Sequence, residues 1–304
     1  MLDDLINGQI AEMKQQSFEE NNDLTKFFEL LSDQHPIKST YNQMLSASGD
    51  KRSQLEATCK DYVRPGAIDV NIMTKLDRPN LDENNQPLPD EFSDAVSALR
   101  GFSNSKIDAG IVFSAGFNRR LFAHCENVND FYLNNSISFK KRLILKVSDF
   151  RSSLIQGRFL AKKGIWVSEY RIESGLNCGG HAFATDGLLC GPILEEFKEN
   201  KKSLDDECRE ICNTVLEKKD KPLIPNSINS KVTYQGGIGT NSEQQFLMKY
   251  YNCSSTGWAT PFLLVPEVTT LDNATRILLE KSTKDDCYLS GVSPLGVPFN
   301  TIKN

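Results

Sequence analysis

Two stretches hold residue types at spacings from which a binding site could be built. The first is K-V-T-Y-Q-G-G-I-G-T-N-S, Lys231 to Ser242. Three glycines in four positions, Gly236, Gly237 and Gly239, strip side chains from the link between an apolar strand and a helix opening at Thr240, Asn241 and Ser242. Such a loop can turn bare backbone N–H groups on a phosphate, backed by the positive end of the helix. A tight connection that needs left-handed backbone would use the same glycines. Repetition favours the phosphate: a second apolar strand follows at once and ends in Trp258, Ala259 and Thr260. Small-residue turns after two consecutive strands are the form of a phosphate site in a (β/α) barrel, after strands seven and eight.

The second stretch is R-I-E-S-G-L-N-C-G-G-H-A-F-A-T-D-G, Arg171 to Gly187. His181 follows Gly179 and Gly180 at the expected carboxyl end of a buried strand, where backbone can approach a ligand and an imidazole can point into a barrel mouth. Of the three histidines it is the one with a chemical setting; His35, just ahead of Pro36, reads as a surface turn residue, and His124 as part of a packed helix. Cys178 has no visible base besides His181 and reads as a small packed residue. The eight cysteines are scattered through a long chain without close pairs, as suits reduced thiols. Cys208 and Cys212 lie four apart in a helical pattern, but a metal would need a second pair at suitable spacing.

These residues must be positioned by alternating strands and helices. Strands are expected at Ala67 to Met73, Asp108 to Gly116, Arg142 to Ser148, Gly164 to Tyr170, from Lys231, and in the run ending at Thr260. The runs between them read as helices: Phe92 to Phe102, Phe117 to Val128, Phe150 to Lys163 capped by Asp149, Pro192 to Lys218, and from Thr240. Asp77 to Asp90, rich in Asp, Asn and Pro, reads as a long exposed loop. Alternation of this kind calls for a parallel sheet with helical crossovers. Asn71, Gly116, Ser148, His181, Gly236 and Thr260 then fall at or just past strand carboxyl ends. The fold class is α/β, a TIM-type (β/α) barrel with six of its eight strands. Residues 1–62 form a helical N-terminal segment, 63–270 the barrel portion, and 271–304 a helix near Asn273 to Lys281 with a Pro- and Gly-rich tail read as an ordered loop.

Composition narrows the function. The chain of 304 residues carries 35 basic and 40 acidic side chains, a net charge of -5, with no basic run interleaved with aromatics, so nucleic acid is not the expected partner. The opening M-L-D-D-L-I-N-G-Q carries acids where a signal peptide carries bases, and no apolar run nears the ~18 residues of a membrane span. A cytoplasmic protein with a small-molecule substrate is the expectation.

Taken together, Val70-Asn71 at one strand end, Gly179, Gly180 and His181 at another, the turn Gln235 to Ile238 and the turn Ala259 to Phe262 resemble the nitronate monooxygenase family of FMN-dependent barrels, related to flavin enoyl reductases. The order and spacing match that family's strands three, six, seven and eight, over about residues 66 to 267. The resemblance implies FMN as cofactor, its phosphate cradled by Gly236, Gly237, Gly239, Ala259 and Thr260, with Gln235 and Thr240 also among the cofactor-binding residues. Asn71 and the Gly179-Gly180 turn would lie along the flavin, with His181 as base or hydrogen-bond donor. The chain departs from the pattern at Asn177-Cys178, where Glu-Ala or Asp-Ser is usual, and at Pro261, which replaces an arginine. No candidate for the family's first two strands precedes residue 66, so an upstream segment or a partner chain is expected to complete the barrel. A flavin-free enzyme acting on a phosphorylated substrate and a non-catalytic barrel subunit are the alternatives.

Overall fold

The computed structural model describes residues 2–33, 35–74, 77–114, 116–173, 190–236, 238, 240–257, 271–291 and 299–302. The chain divides into two compact units, Met1–Ile68 and Asp69–Asn304. The first is four helices: α1 (Leu2–Gln15), α2 (Asp23–Glu29), α3 (Pro36–Ser46) and α4 (Gly49–Tyr62). Its core is small, built on Leu24, Phe28, Tyr41, Met44, Cys59 and Val63, with the Phe28 and Tyr41 rings stacked at 5.1 Å. The buried Lys38 ammonium donates to the Phe28 and Glu29 carbonyls at 2.7 and 3.0 Å, so a charge satisfies the carbonyl end of α2. His35 is the N-cap residue of α3, and its Nε2 lies 3.2 Å from the Tyr62 hydroxyl.

In the second unit strands and helices alternate: β1 (Val70–Met73), α5 (Asp94–Asn104), β2 (Ala109–Ser114), α6 (Arg119–His124), β3 (Lys141–Val147), α7 (Phe150–Ala161), β4 (Val167–Glu173), α8 (Cys190–Lys218), β5 (Lys231–Gln235), α9 (Asn241–Tyr250) and β6 (Ser255–Gly257). The six strands are all parallel, in the order β1-β2-β3-β4-β5-β6. Right-handed crossovers that never reverse direction place every helix on one face of a sheet. A doubly wound sheet would reverse its order at a switch point. The fold is therefore an incomplete TIM-barrel-like α/β fold, and among the described residues β1 and β6 do not pair with each other.

After α10 (Asn273–Lys281) the tail departs from the expected loop. Strands β7 (Cys287–Ser290) and β8 (Phe299–Ile302) pair antiparallel, Cys287 opposite Ile302 and Ser290 opposite Phe299. Four-residue strands are too short to show a period among prolines and glycines.

The two faces of the parallel sheet differ in chemistry. Ile72, Ile111, Phe113, Leu143, Leu145, Tyr170, Ile172 and Val232 belong to the apolar core under the helices. The alternate positions carry Asn71, Ser114, Lys146, Glu169, Arg171, Glu173 and Thr233. Parallel strands are ordinarily apolar on both faces, so this second, inner face is the informative one.

It is also curled. Arg171 Nη2 on β4 reaches Asp69 Oδ2, just ahead of β1, at 3.1 Å. Asp69 sits beside Gly110, whose register partner on β3 is Arg142, whereas Arg171 pairs with Lys146. On a flat sheet three strand spacings of ~4.8 Å and four residues of ~3.3 Å would separate the two by about 19 Å. Two side chains cannot span that, so the inner face must be concave. Gly110 makes room: a Cβ there would lie 2.5 Å from Ile144 Cδ1 and 2.6 Å from Asp69 Oδ1.

On the helix side, α7 opens under the Asp149 cap, which accepts from Ser152 N–H at 2.6 Å, and stops before Gly164 at φ 78°. Gly157 in α7 lies over the buried Tyr170 of β4, where an added Cβ would meet the phenol oxygen at 2.5 Å. Replacing Gly157 by Ala overpacks this contact, and urea denaturation should show a loss of about 1–3 kcal/mol.

Candidate functional site

At the carboxyl ends of the strands the inner face presents a continuous polar row. Lys146 on β3 forms an ion pair with Glu173 on β4; both are mostly buried, with side chains 19% and 14% exposed. Glu173 is in register with Gln235 on β5, and Gln235 with Gly257 on β6. Four adjacent strands thus bring a cation, a carboxylate, a carboxamide and a bare backbone position to one rim. Beneath the rim Arg171 takes Glu169 at 2.8 Å as well as Asp69, and Glu169 accepts from Thr233 Oγ1 at 2.6 Å. Burial opposes the guanidinium's charge, but hydrogen bonds and charge from Glu169 and Asp69 outweigh it and hold its pKa above the ordinary value. This lower network lines the inner face with paired charges; its Arg171 and Asp69 side chains are 22% and 28% exposed, somewhat more open than the rim pair.

The two turns singled out in sequence leave neighbouring strands. The ladder between β5 and β6 runs one step past the strands, with Gly236 N–H donating to Gly257 O at 2.9 Å. Gly236 has φ 91°, which glycine alone adopts without strain. Its N–H is thereby used in the ladder. Thr240 caps α9 in a reciprocal box: Thr240 N–H donates to Glu243 Oε2 at 2.9 Å, and Glu243 N–H to Thr240 Oγ1 at 3.3 Å. A carboxylate, exposed to solvent, therefore already sits at the amino end of α9.

Asn71 lies inside β1, opposite Val112, and its Oδ1 accepts from Ser114 Oγ at 2.7 Å. Ser148 follows β3 directly and Gly116 lies two residues past β2. Gly179, Gly180, His181, Gly237, Gly239, Ala259 and Thr260 lie outside the described residues, as does Cys178. The structure therefore brings together the rim of β3 to β6 and the start of each expected turn. Sequence reading passed over Lys146 and Glu173. Both had a signal: Lys146 is the one charge inside the apolar run L-I-L-K-V, and S-E-Y-R-I-E alternates charge with apolar residues, as a strand polar on one face must.

The ends of β1 and β2 are bound together. Thr74 Oγ1 donates to the Ser114 and Gly116 carbonyls at 2.8 and 2.7 Å, and Asn118 Nδ2 to the Thr74 carbonyl at 3.2 Å and Asp77 Oδ2 at 2.9 Å. Asp77 also accepts from Ala95 N–H at the start of α5. Burial alone would raise its pKa; the bonds from Asn118, Ala95 and Ser93 and the charge of Arg120 bring it below the ordinary value.

Cys59, Cys125, Cys190, Cys208, Cys212 and Cys253 are free thiols. Desolvation pushes Cys208 up to about 11 and Cys212 up to about 12, which makes them poor ligands and poor nucleophiles. Among the described residues no group of His, Cys, Asp and Glu could hold a metal ion, and no helix is long and apolar enough to cross a membrane.

Comparison with known proteins adds little. No family model matches, and no curated protein matches. Among solved structures the chain is similar to the enoyl reductase domain of MlnA, from the macrolactin biosynthesis cluster of Bacillus amyloliquefaciens. The match has a TM-score of 0.44 and 11% identity over 89% of this chain, and it spans 56% of that chain's length. So distant a likeness carries no functional argument.

Asp77 supplies a test of how the rim is tied together. Its folded pKa is depressed, so its contribution to stability is present above the ordinary carboxylate pKa of 3.8 and is lost as pH falls through the folded value. Asp77→Ala should be less stable than the parent chain at pH 7, and the deficit should shrink as pH approaches 3, as read by urea unfolding across pH.

Proposed function

We propose that the carboxyl rim of this sheet binds FMN and that the chain is the flavin-binding portion of an oxidoreductase of the nitronate monooxygenase-like type. One observation supports this more than any other: the turns after β5 and β6 start side by side, joined by the Gly236 to Gly257 hydrogen bond, as a shared phosphate site requires. With the amides of Gly236, Thr240 and Glu243 engaged, the phosphate falls to residues 237–239, Asn241 and Ser242, together with Ala259 and Thr260. The flavin ring would extend over the inner rim toward Asn71 and the Gly179-Gly180 turn.

FMN, when bound, supplies two-electron chemistry at its N5. The residues of the chain position and polarise around it. The Lys146 ammonium places positive charge at the rim, where electron density would accumulate on a reduced ring, and Glu173 holds that ammonium in place. His181 takes or donates the substrate proton. Glu243 opposes an anion at the start of α9, and its exposed carboxylate is the part of the capping box that a phosphate would displace.

A second reading is favoured by the polarity of the same rim. Lys146, Glu173, Gln235 and the Asn71–Ser114 pair suit a hydroxylated phosphate ester better than the apolar faces of a flavin ring.

The absorption spectrum of the protein as isolated separates the two. A flavin spectrum, with FMN released on heating, is expected. His181→Ala should keep FMN and lose turnover, Gly237→Asp should lose FMN, and Glu243→Gln should bind it more tightly. A colourless protein that takes up no added FMN and is thermally stabilised by phosphate esters would establish the second reading instead.

A further inference from the structure

At the opposite end of the strands, the flank of α8 borders a cleft of about 620 Å³. Its position is set by the chain: Asn226 and Asn229 precede β5 and Asn252 precedes β6, so the cleft opens at the amino ends of these strands, away from the carboxyl rim. One wall is a single stripe of α8. Lys198, Lys201, Lys202, Asp205, Asp206 and Arg209 fall at helical spacing, and Val232 and Tyr251 supply apolar surface across from them.

Four cations meet two carboxylates in this lining, and the carboxylates are already well supplied. Asp205 accepts from Ser230 Oγ at 2.5 Å and from Lys201 at 2.6 Å; Asp206 takes Lys202 at 2.7 Å and Arg209 Nη1 at 3.0 Å. Lys198 in turn pairs with Glu195 at 3.3 Å and lies over the Tyr250 ring, so cations exceed carboxylates here by one. Arg209 adds an independent sign of a missing partner. It is 6% exposed, its Nη2 is held by the Ile228 carbonyl and Asn229 Oδ1, and its guanidinium lies 5.4 Å from the Trp166 ring centre. Its Nε has no hydrogen-bond partner. A buried guanidinium donor left unmade is costly, and an acceptor oxygen entering the cleft would relieve it.

We infer that this cleft is a second small-molecule site, separate from the rim, that takes a phosphate-bearing anion on Arg209 with Lys198 and Lys202 at its edge. The volume lies within the ordinary range for small ligands and exceeds what a lone phosphate fills, so a phosphate ester with an apolar part against Tyr251 is the fitting class.

The test is calorimetric titration of the full chain with inorganic pyrophosphate at fixed ionic strength. Arg209 is a core residue whose loss could unfold the protein, so Lys198→Gln/Lys202→Gln is the variant of choice, its fold checked by circular dichroism. Saturable binding is expected, weakened about tenfold or more in that variant, and unchanged in Gly237→Asp, which alters the rim turn instead. No saturable binding up to millimolar pyrophosphate, or binding that the lysine pair leaves intact, overturns the proposal. Neither outcome depends on whether the rim holds FMN.

Discussion

The ion pair between Arg171 and Asp69 is the contact on which the inner face depends. It joins β4 to the entry of β1 across two intervening strands, and only a curved sheet lets the two groups touch. Curvature then decides the rest. With the crossover helices α5 to α9 on the convex side, the polar residues of alternate positions converge on the concave one, and the Asp69–Arg171–Glu169–Thr233 chain lines it below the strand ends. Gly110 belongs to the same constraint, because any side chain there would occupy the space of the Asp69 carboxylate.

The rim joins two kinds of feature. Lys146, Glu173 and Gln235 bring polar groups to consecutive strand ends, and the turns after β5 and β6 begin beside them. Glu243 complicates the picture. A helix start already carrying a carboxylate is a weaker anion site than a bare one, so a phosphate held here must draw on the glycine turn as well as on the helix.

Much of this architecture could be read from the chain. Alternating apolar runs and amphipathic stripes gave the six strands, and Asp149, Gly164 and Thr240 marked helix ends where the structure has them. Three things escaped the reading, the first in spite of its alternating charges. The fourth strand extends through Arg171 and Glu173, because charges at alternate positions read as the start of a loop when a strand is taken as buried on both faces. The use of Gly236 N–H in the ladder depends on where β6 lies, which no local pattern encodes. The β7–β8 pair is short and joins residues nine to fifteen apart, with too little periodicity to stand out.

The curvature of the inner face is open to a double-mutant cycle on Asp69 and Arg171, each replaced by Ala, with stability measured by urea unfolding. If the two groups meet across the concave face as described, their effects should fall short of additivity by about 0.5–2 kcal/mol, with a smaller coupling at high salt. Strictly additive effects would mean that the side chains do not touch, and that the sheet is too flat to form the rim.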